Sequence, residues 1–385
     1  MVVIYLLRYN LIIKMTNVND KWRFGYILPN LSIKQAIDSQ YVAIAPINDP
    51  RVQDIVNKHP IIKNLTNGFS DQFNRKVSPS LLIYNDSIPV KSLRNGALID
   101  FRNLIAICCI VNAWQAYLLR GQWFIFGQYS EYFSLYPVVP HDSNKYFVTL
   151  SPAVRGIDIP NEFSGQTIPE LGGPAYEIEH DPYIFNSLIQ EWERRHIKGR
   201  LLEPRINILF RSLNVALQAS SVPNTNNGSI FDYGARLIQW VSAFEILAHP
   251  SINQNVNKEH VLRLIGQFPF SSRKLGNKRY IVSKRNRIVQ RGNLSQCLCN
   301  QIYKARHDFT HGNQVTIKNV FPWYKTKRYL LNCFAPLIYK ILLICYLDIY
   351  PSTSIVKLAN LPFEQYKSIM GLEDALIKST SDISD

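Results

Sequence analysis

The spacing of apolar residues changes character part-way along this chain, and that change constrains the fold more than any other feature. Up to about residue 165 the apolar residues cluster in short β-rich runs at 41–47, 133–139 and 146–150, each bounded by Pro, Asp or Asn. Those residues are the usual punctuation of strands. One long exception, IDFRNLIAICCIVNAWQAYLLR at 99–120, contains neither Gly nor Pro and reads as the core helix of a first domain. A stretch rich in Pro and Gly at 152–174 predicts a boundary or interdomain loop.

Beyond that stretch the period becomes helical. Residues 182–198 carry a charged end, EWERRH, and 203–220 place Ile206, Leu209, Leu213 and Ala216 on one stripe, as a buried helix face requires. After a turn, PNTNNG at 223–228, Ser229-x-x-Asp232 reads as a capping box. It opens a helix striped by Leu237, Val241, Phe244 and Ala248 and stopped at Pro250. Leu294, Leu298, Ile302, Ala305 and Phe309 form a further stripe that ends at Gly312, and the last long helix falls at 325–349. With 385 residues there is room for two cores. The expectation is an α+β N-terminal domain at 16–165, a linker and connecting helix at 166–200, and an all-α bundle at 201–350. A C-terminal extension and frayed tail follow at 351–385, and residues 1–15 read as a leader or a start placed ahead of Met15.

Charge narrows the partners. Lys and Arg total 43 against 28 Asp and Glu, a net +15, so a polyanion is the natural partner. The cysteines, Cys108, Cys109, Cys297, Cys299, Cys333 and Cys345, sit mostly in apolar helical runs. Their spacing fits neither a zinc site nor a disulfide framework, as in a reducing, cytoplasmic compartment. The leader is interrupted by Arg8 and Asn10, and the apolar run 330–350 contains Asn332, Pro336, Lys340 and Asp348. A central Lys is expensive in lipid, so this run reads as a buried bundle helix and no membrane partner is expected. Phosphate-binding glycine loops and the Gly-x-Ser-x-Gly elbow are absent.

Chemistry concentrates at YKARHDFTHG, residues 303–312, which puts Arg306, His307, Asp308 and His311 at the end of an amphipathic helix. On an ideal helix Arg306 misses the centre of the apolar stripe by about 80° and His311 by about 140°. Neither is aimed at the core. Structural roles are available to both: a histidine in a last turn gains from the helix dipole, and Arg306 could pair with Asp308. His307-Asp308-x-x-His311 also imitates a metallopeptidase motif with Asp in place of Glu, but no third ligand follows.

Arg-x4-His followed by Gly, with Tyr303 three residues before the Arg and a polar residue directly after it, resembles the signature of the HEPN superfamily, in particular its Apea-like branch. The helix RLIQWVSAFEIL, from Arg236 to Leu247, is similar to the second-helix pattern of that branch, with a Ser-Ala-aromatic-Glu-x-Leu core. The resemblance covers about residues 200–350. It implies a four- or five-helix up-and-down bundle that pairs two-fold as a homodimer, with Arg and His of both protomers lining one cleft. It further implies metal-independent RNA cleavage by the 2′-hydroxyl of the RNA itself, with no cofactor. In that role His311 is general acid or base, and Arg306 clamps the phosphate and stabilises the phosphorane. His307 and Asp308 are expected to orient these groups, and Glu245 to pair with a basic residue inside the bundle.

A second feature points to RNA. Arg273, Lys274, Lys278, Arg279, Lys284, Arg285, Arg287 and Arg291 fall within 273–291 with no acidic residue among them. Such a run is either a solvated loop or a surface for phosphates. The chain is thus expected to be an endoribonuclease, a toxin-like effector of antiviral or stress defence in which the N-terminal domain is sensor and gate. The competing expectation is a non-catalytic bundle that binds RNA or nucleotide, or only dimerises.

Overall fold

The structure is a computed structural model describing residues 22–70, 75–120, 129–136, 138–140, 147–149, 179–222, 229–250, 255–276, 280–285, 288–322, 329–350 and 363–380. The leader 1–15, the stretch 152–174, the turn 223–228 and the end of the tail lie outside the described residues. The chain divides into two compact units. One comprises Met1–Asn103, Phe126–Ile178 and Trp192–Leu201, the other Leu104–Ile125, Glu179–Glu191 and Leu202–Asp385. A small antiparallel sheet is followed by a mostly helical region, an α+β arrangement with a helical unit.

The first unit is built on β1 (Trp22–Leu28), β2 (Ile37–Asp38), β3 (Val42–Pro46) and β4 (Ser80–Asn85), in the order β1-β4-β3-β2. All pairings are antiparallel, with Ala43 opposite Ile83 and Ile27 opposite Leu81. The two central strands are buried on both faces, which explains their unbroken apolar sequences. Two helices cover one face, α1 (Pro50–Lys58) and α2 (Pro60–Asn67). Val52, Ile55, Ile62 and Leu65 pack against Phe24, Ala43, Ala45 and Ile83. Helix α1 starts where Asp49 accepts the Arg51 amide at 2.9 Å and Pro50 presets the first turn. Gly25 sits where β1 shifts register, and a Cβ there would lie 2.7 Å from the Leu82 carbonyl oxygen. Only glycine fits so close an approach.

After α3 (Val90–Arg94) comes α4 (Ala97–Arg120), the long apolar helix of the sequence. It was expected to be the core of the first domain, yet only its start, through Asn103, belongs to the first unit. Among the described residues it is the one helix long and apolar enough to cross a membrane, and most of that window is buried. A 3-10 turn, Tyr129–Phe133, precedes the hairpin β5 (Val138–Pro140) and β6 (Phe147–Thr149). From α5 (Pro182–His196), Trp192 donates its indole N–H to the Ala97 carbonyl at 2.8 Å. His196, fully buried, meets Asp100 at 2.9 Å, and Arg195 meets the same carboxylate at 3.0 Å.

In the second unit α7 (Ile230–Leu247) is the hub, packing on α6 (Pro204–Ser221), α10 (Leu294–Thr310) and α11 (Leu331–Tyr346). Ser229 and Asp232 make the expected capping box. Ser212 of α6 donates to the Ala243 carbonyl and meets the Tyr339 hydroxyl, both at 2.8 Å. Around them run α8 (Lys258–Ile265), the short α9 (Arg273–Gly276), the hairpin β7 (Tyr280–Arg285) and β8 (Ile288–Gly292), and α12 (Phe363–Ser379). The last helix was expected at 325–349. It is shorter there, and α12 lies beyond it, because Gly371 and scattered charges blur its apolar stripe.

Lys340, 1% exposed, is buried as an ion pair with Asp181, 2% exposed, at 3.1 Å. Gln115 accepts from its ammonium at 2.7 Å and Asn112 at 3.5 Å. Asp181 also starts α5, accepting the amides of Tyr183 at 3.0 Å and Ile184 at 3.3 Å, and it receives the Ser368 hydroxyl of α12. Burial alone would raise its carboxyl, but Lys340 and these donors bring it below the usual carboxylate range.

Candidate functional site at the end of helix α10

Helix α10 is specified at both ends by local chemistry. Asn293 accepts the Gln296 amide at 2.9 Å, and the Gln296 side chain accepts the Asn293 amide at 2.9 Å, two reciprocal caps. Leu294, Leu298, Ile302 and Ala305 are buried as the periodicity predicts. The helix stops at His311, whose amide bonds to the His307 carbonyl at 3.1 Å, and Gly312 follows at φ +69°. That left-handed position favours glycine.

The end of the helix is seated on α7 through a contact that the sequence did not flag. Gly234 leaves room for the ring of Phe309, and a Cβ at Gly234 would lie 2.4 Å from it. The glycine thus lets α7 and α10 approach next to the candidate residues.

His307 and His311 are both exposed and their rings are in tilted contact, 4.3 Å between centroids at 45°. Arg306 is half-buried, with its Nε inside and without a hydrogen-bond partner. No carboxylate pairs with its guanidinium among the described residues. Asp308, the simplest partner in sequence, is engaged elsewhere: it accepts the Asn319 amide group at 2.7 Å and that of Asn313 at 3.2 Å. Asn319 in turn accepts the Thr316 amide at 2.9 Å. Asp308 therefore ties the loop after the helix to its last turn. Neither asparagine stood out in sequence, because nothing local marks residues 5 and 11 positions away as partners.

Glu245, expected to pair with a basic residue, forms no ion pair among the described residues. It lies near Tyr303, whose hydroxyl is buried. Burial, then the neighbouring Cys299 and Glu245, push that phenol well above its ordinary range, and Arg306 opposes them. Glu245, Tyr303 and Arg306 thus form one electrostatic group beside the exposed histidine pair. Arg306 and His311 share no hydrogen bond within the chain, as expected for residues five apart, about 140° around an ideal helix. Among the described residues no three His, Cys, Asp or Glu gather as metal ligands, so His307, Asp308 and His311 do not converge on a common ion there.

The basic segment resolves into parts. Arg273 and Lys274 fall in α9, Lys284 and Arg285 on β7, and Arg291, exposed, on β8. Lys278, Arg279 and Arg287 lie outside the described residues. In place of a solvated loop, part of this region forms a hairpin whose strands pair Ile281 with Arg291 and Lys284 with Val289.

The sequence matches no protein-family model, and no curated protein or solved structure matches it.

Proposed function

We infer that the chain is a metal-independent endoribonuclease whose second unit is a HEPN-type bundle, with Arg306 and His311 in the roles that the sequence resemblance implies. The observation that carries this reading is the state of Arg306. A guanidinium with a buried N–H that has no hydrogen-bond partner and with no ion pair among the described residues costs about 1–3 kcal/mol or more in lost solvation, and an incoming phosphate would remove that cost. His307 follows it directly in the chain, and the exposed ring of His307 touches that of His311.

In the proposed reaction the 2′-hydroxyl of the RNA attacks the adjacent phosphorus. Its proton passes to a basic imidazole, the bond to the 5′-oxygen breaks, and that oxygen takes a proton from an acidic imidazole. The products are a 2′,3′-cyclic phosphate and a 5′-hydroxyl. Arg306 stabilises the charge gathered on the phosphorane oxygens, and His311 supplies or receives one of the protons. The 140° between Arg306 and His311 is compatible with the two-fold pairing that the resemblance implies, in which each protomer completes the other's site. A cytoplasmic toxin-like effector of defence, gated by the first unit, is the biological setting consistent with this chemistry.

The test is cleavage of RNA by the purified full-length chain in excess EDTA, beside His311→Ala and Arg306→Ala. Cleavage that ends in cyclic phosphate and disappears in both variants supports the assignment. Cleavage that needs a divalent metal, or that survives His311→Ala, overturns it. The absence of a hydrogen bond between Arg306 and His311 is the one observation that favours a non-catalytic bundle, and tight RNA binding without cleavage would establish that reading.

A further inference from the structure

The hairpin β7–β8 docks on the first turns of α10. Cys297 Sγ lies 3.9 Å from the Ile281 carbonyl oxygen, Val282 is buried, and the Val282 side chain closes over Gly292 beside Gln296. Cys297 begins a stripe along that helix: Gln301, Lys304, Asp308 and His311 follow at steps of four, three, four and three, which keeps all five within about 80° of arc. The basic hairpin and His311 therefore lie at opposite ends of one helix face, about 21 Å apart at 1.5 Å per residue. Lys304, exposed, stands about half-way. Asp308 and Glu259 keep their charge but are held in fixed positions by neutral amides, Asp308 by Asn313 and Asn319, and Glu259 by Gln290.

We propose that this face is a track for single-stranded RNA, gripped at the hairpin, guided by Lys304 and presented to His311. The proposal rests on the ribonuclease reading and adds to it the substrate's form and length. At a rise of about 3.4 Å per nucleotide the span takes about six phosphates, fewer if the strand is extended. A single strand is specified because in-line attack by a 2′-hydroxyl needs a backbone free to rotate, which a duplex denies. The anchor is braced from behind: Glu373 of α12, 1% exposed, accepts the amides of Ser271 and Ser272 and the Ser271 hydroxyl, just before α9. Ile281, exposed opposite Arg291, offers an apolar surface for a base beside the cation.

The experiment compares cleavage of a dinucleotide with that of unstructured strands of about four, eight and twelve nucleotides. The expected result is kcat/KM rising tenfold or more up to about six to eight nucleotides and then levelling. Lys304→Glu and Arg291→Glu should each lower kcat/KM on the longest strand about five- to tenfold and reduce the salt slope by about one, while Lys304→Arg retains it. A dinucleotide cut as well as the longest strand, or charge reversals without effect, would overturn the track while leaving the ribonuclease assignment intact. If no strand is cut, anisotropy of 2′-O-methyl strands decides. Binding that grows with length and falls in Lys304→Glu keeps the track and removes the nuclease, whereas binding independent of both removes the track. Equal affinity for a duplex of the same length would overturn the single-strand assignment.

Discussion

Replacing Lys340 by Met, and Asp181 by Asn, separates the charge of the buried pair from its other duties. Met keeps the length of the lysine stem, and Asn retains an acceptor for the Tyr183 and Ile184 amides at the start of α5. What each single change removes is half of an ion pair whose members are 1% and 2% exposed. Breaking such a pair leaves one uncompensated charge in a low-dielectric site and costs about 3–5 kcal/mol. For a unit of this size each kcal/mol moves Tm by about 2–4 °C, so each single variant should melt about 6–20 °C lower. The double variant carries no buried charge and should recover most of that loss. Thermal unfolding followed by circular dichroism, at pH 7 and again at lower pH, measures all four corners of the cycle.

The pH dependence has a definite sign. In the wild-type chain the carboxyl of Asp181 is lowered, so its contribution is present above the unfolded value of about 3.9 and is lost as pH falls through the lower native value. In Lys340→Met the counter-charge is gone and burial dominates, so the native carboxyl rises above the unfolded one. That variant should gain stability as pH falls toward about 4, opposite to wild type. Singles that each cost under about 1 kcal/mol, or a double variant as unstable as the sum of the singles, would mean that the pair is not a coupled buried element.

Gly234→Ala should cost about 1–3 kcal/mol by overpacking against Phe309, 2.4 Å from the new Cβ, and Phe309→Leu in the same chain should restore part of it in urea unfolding. Asp308→Ala releases Asn313 and Asn319, so amides at 313–319 should exchange faster while those of α10 before Ala305 keep their protection. Glu373 is held above the usual carboxylate range, chiefly by burial. Its native form binds a proton more tightly than the unfolded chain, so the unit should gain stability as pH falls through the native value toward about 4.3. Glu373→Gln should remove that slope in a pH series of melting curves.

Short-range information was readable from the sequence. The cap at Ser229, the stripe from Leu294 to Ala305 and the stop at Gly312 each depend on residues within about one turn of each other, and side-chain period and cap chemistry are local properties. So was the placement of Arg306, His307 and His311 at a helix end off the apolar stripe. Tertiary structure decided the partners. It gave Asp308 to Asn313 and Asn319 and left the Arg306 guanidinium without an ion pair among the described residues. It set Glu373 against Ser271, 102 residues away, and neutralised Lys340 with Asp181. The lysine that argued against a membrane span in sequence is buried with the rest of its helix because a partner from a distant helix start meets it. The α4 stretch shows the same limit, since an apolar run declares that it will be buried but not against which unit. Periodicity specifies which face of an element seeks cover, whereas the identity of the covering group depends on contacts between residues far apart in the chain, which no local pattern encodes.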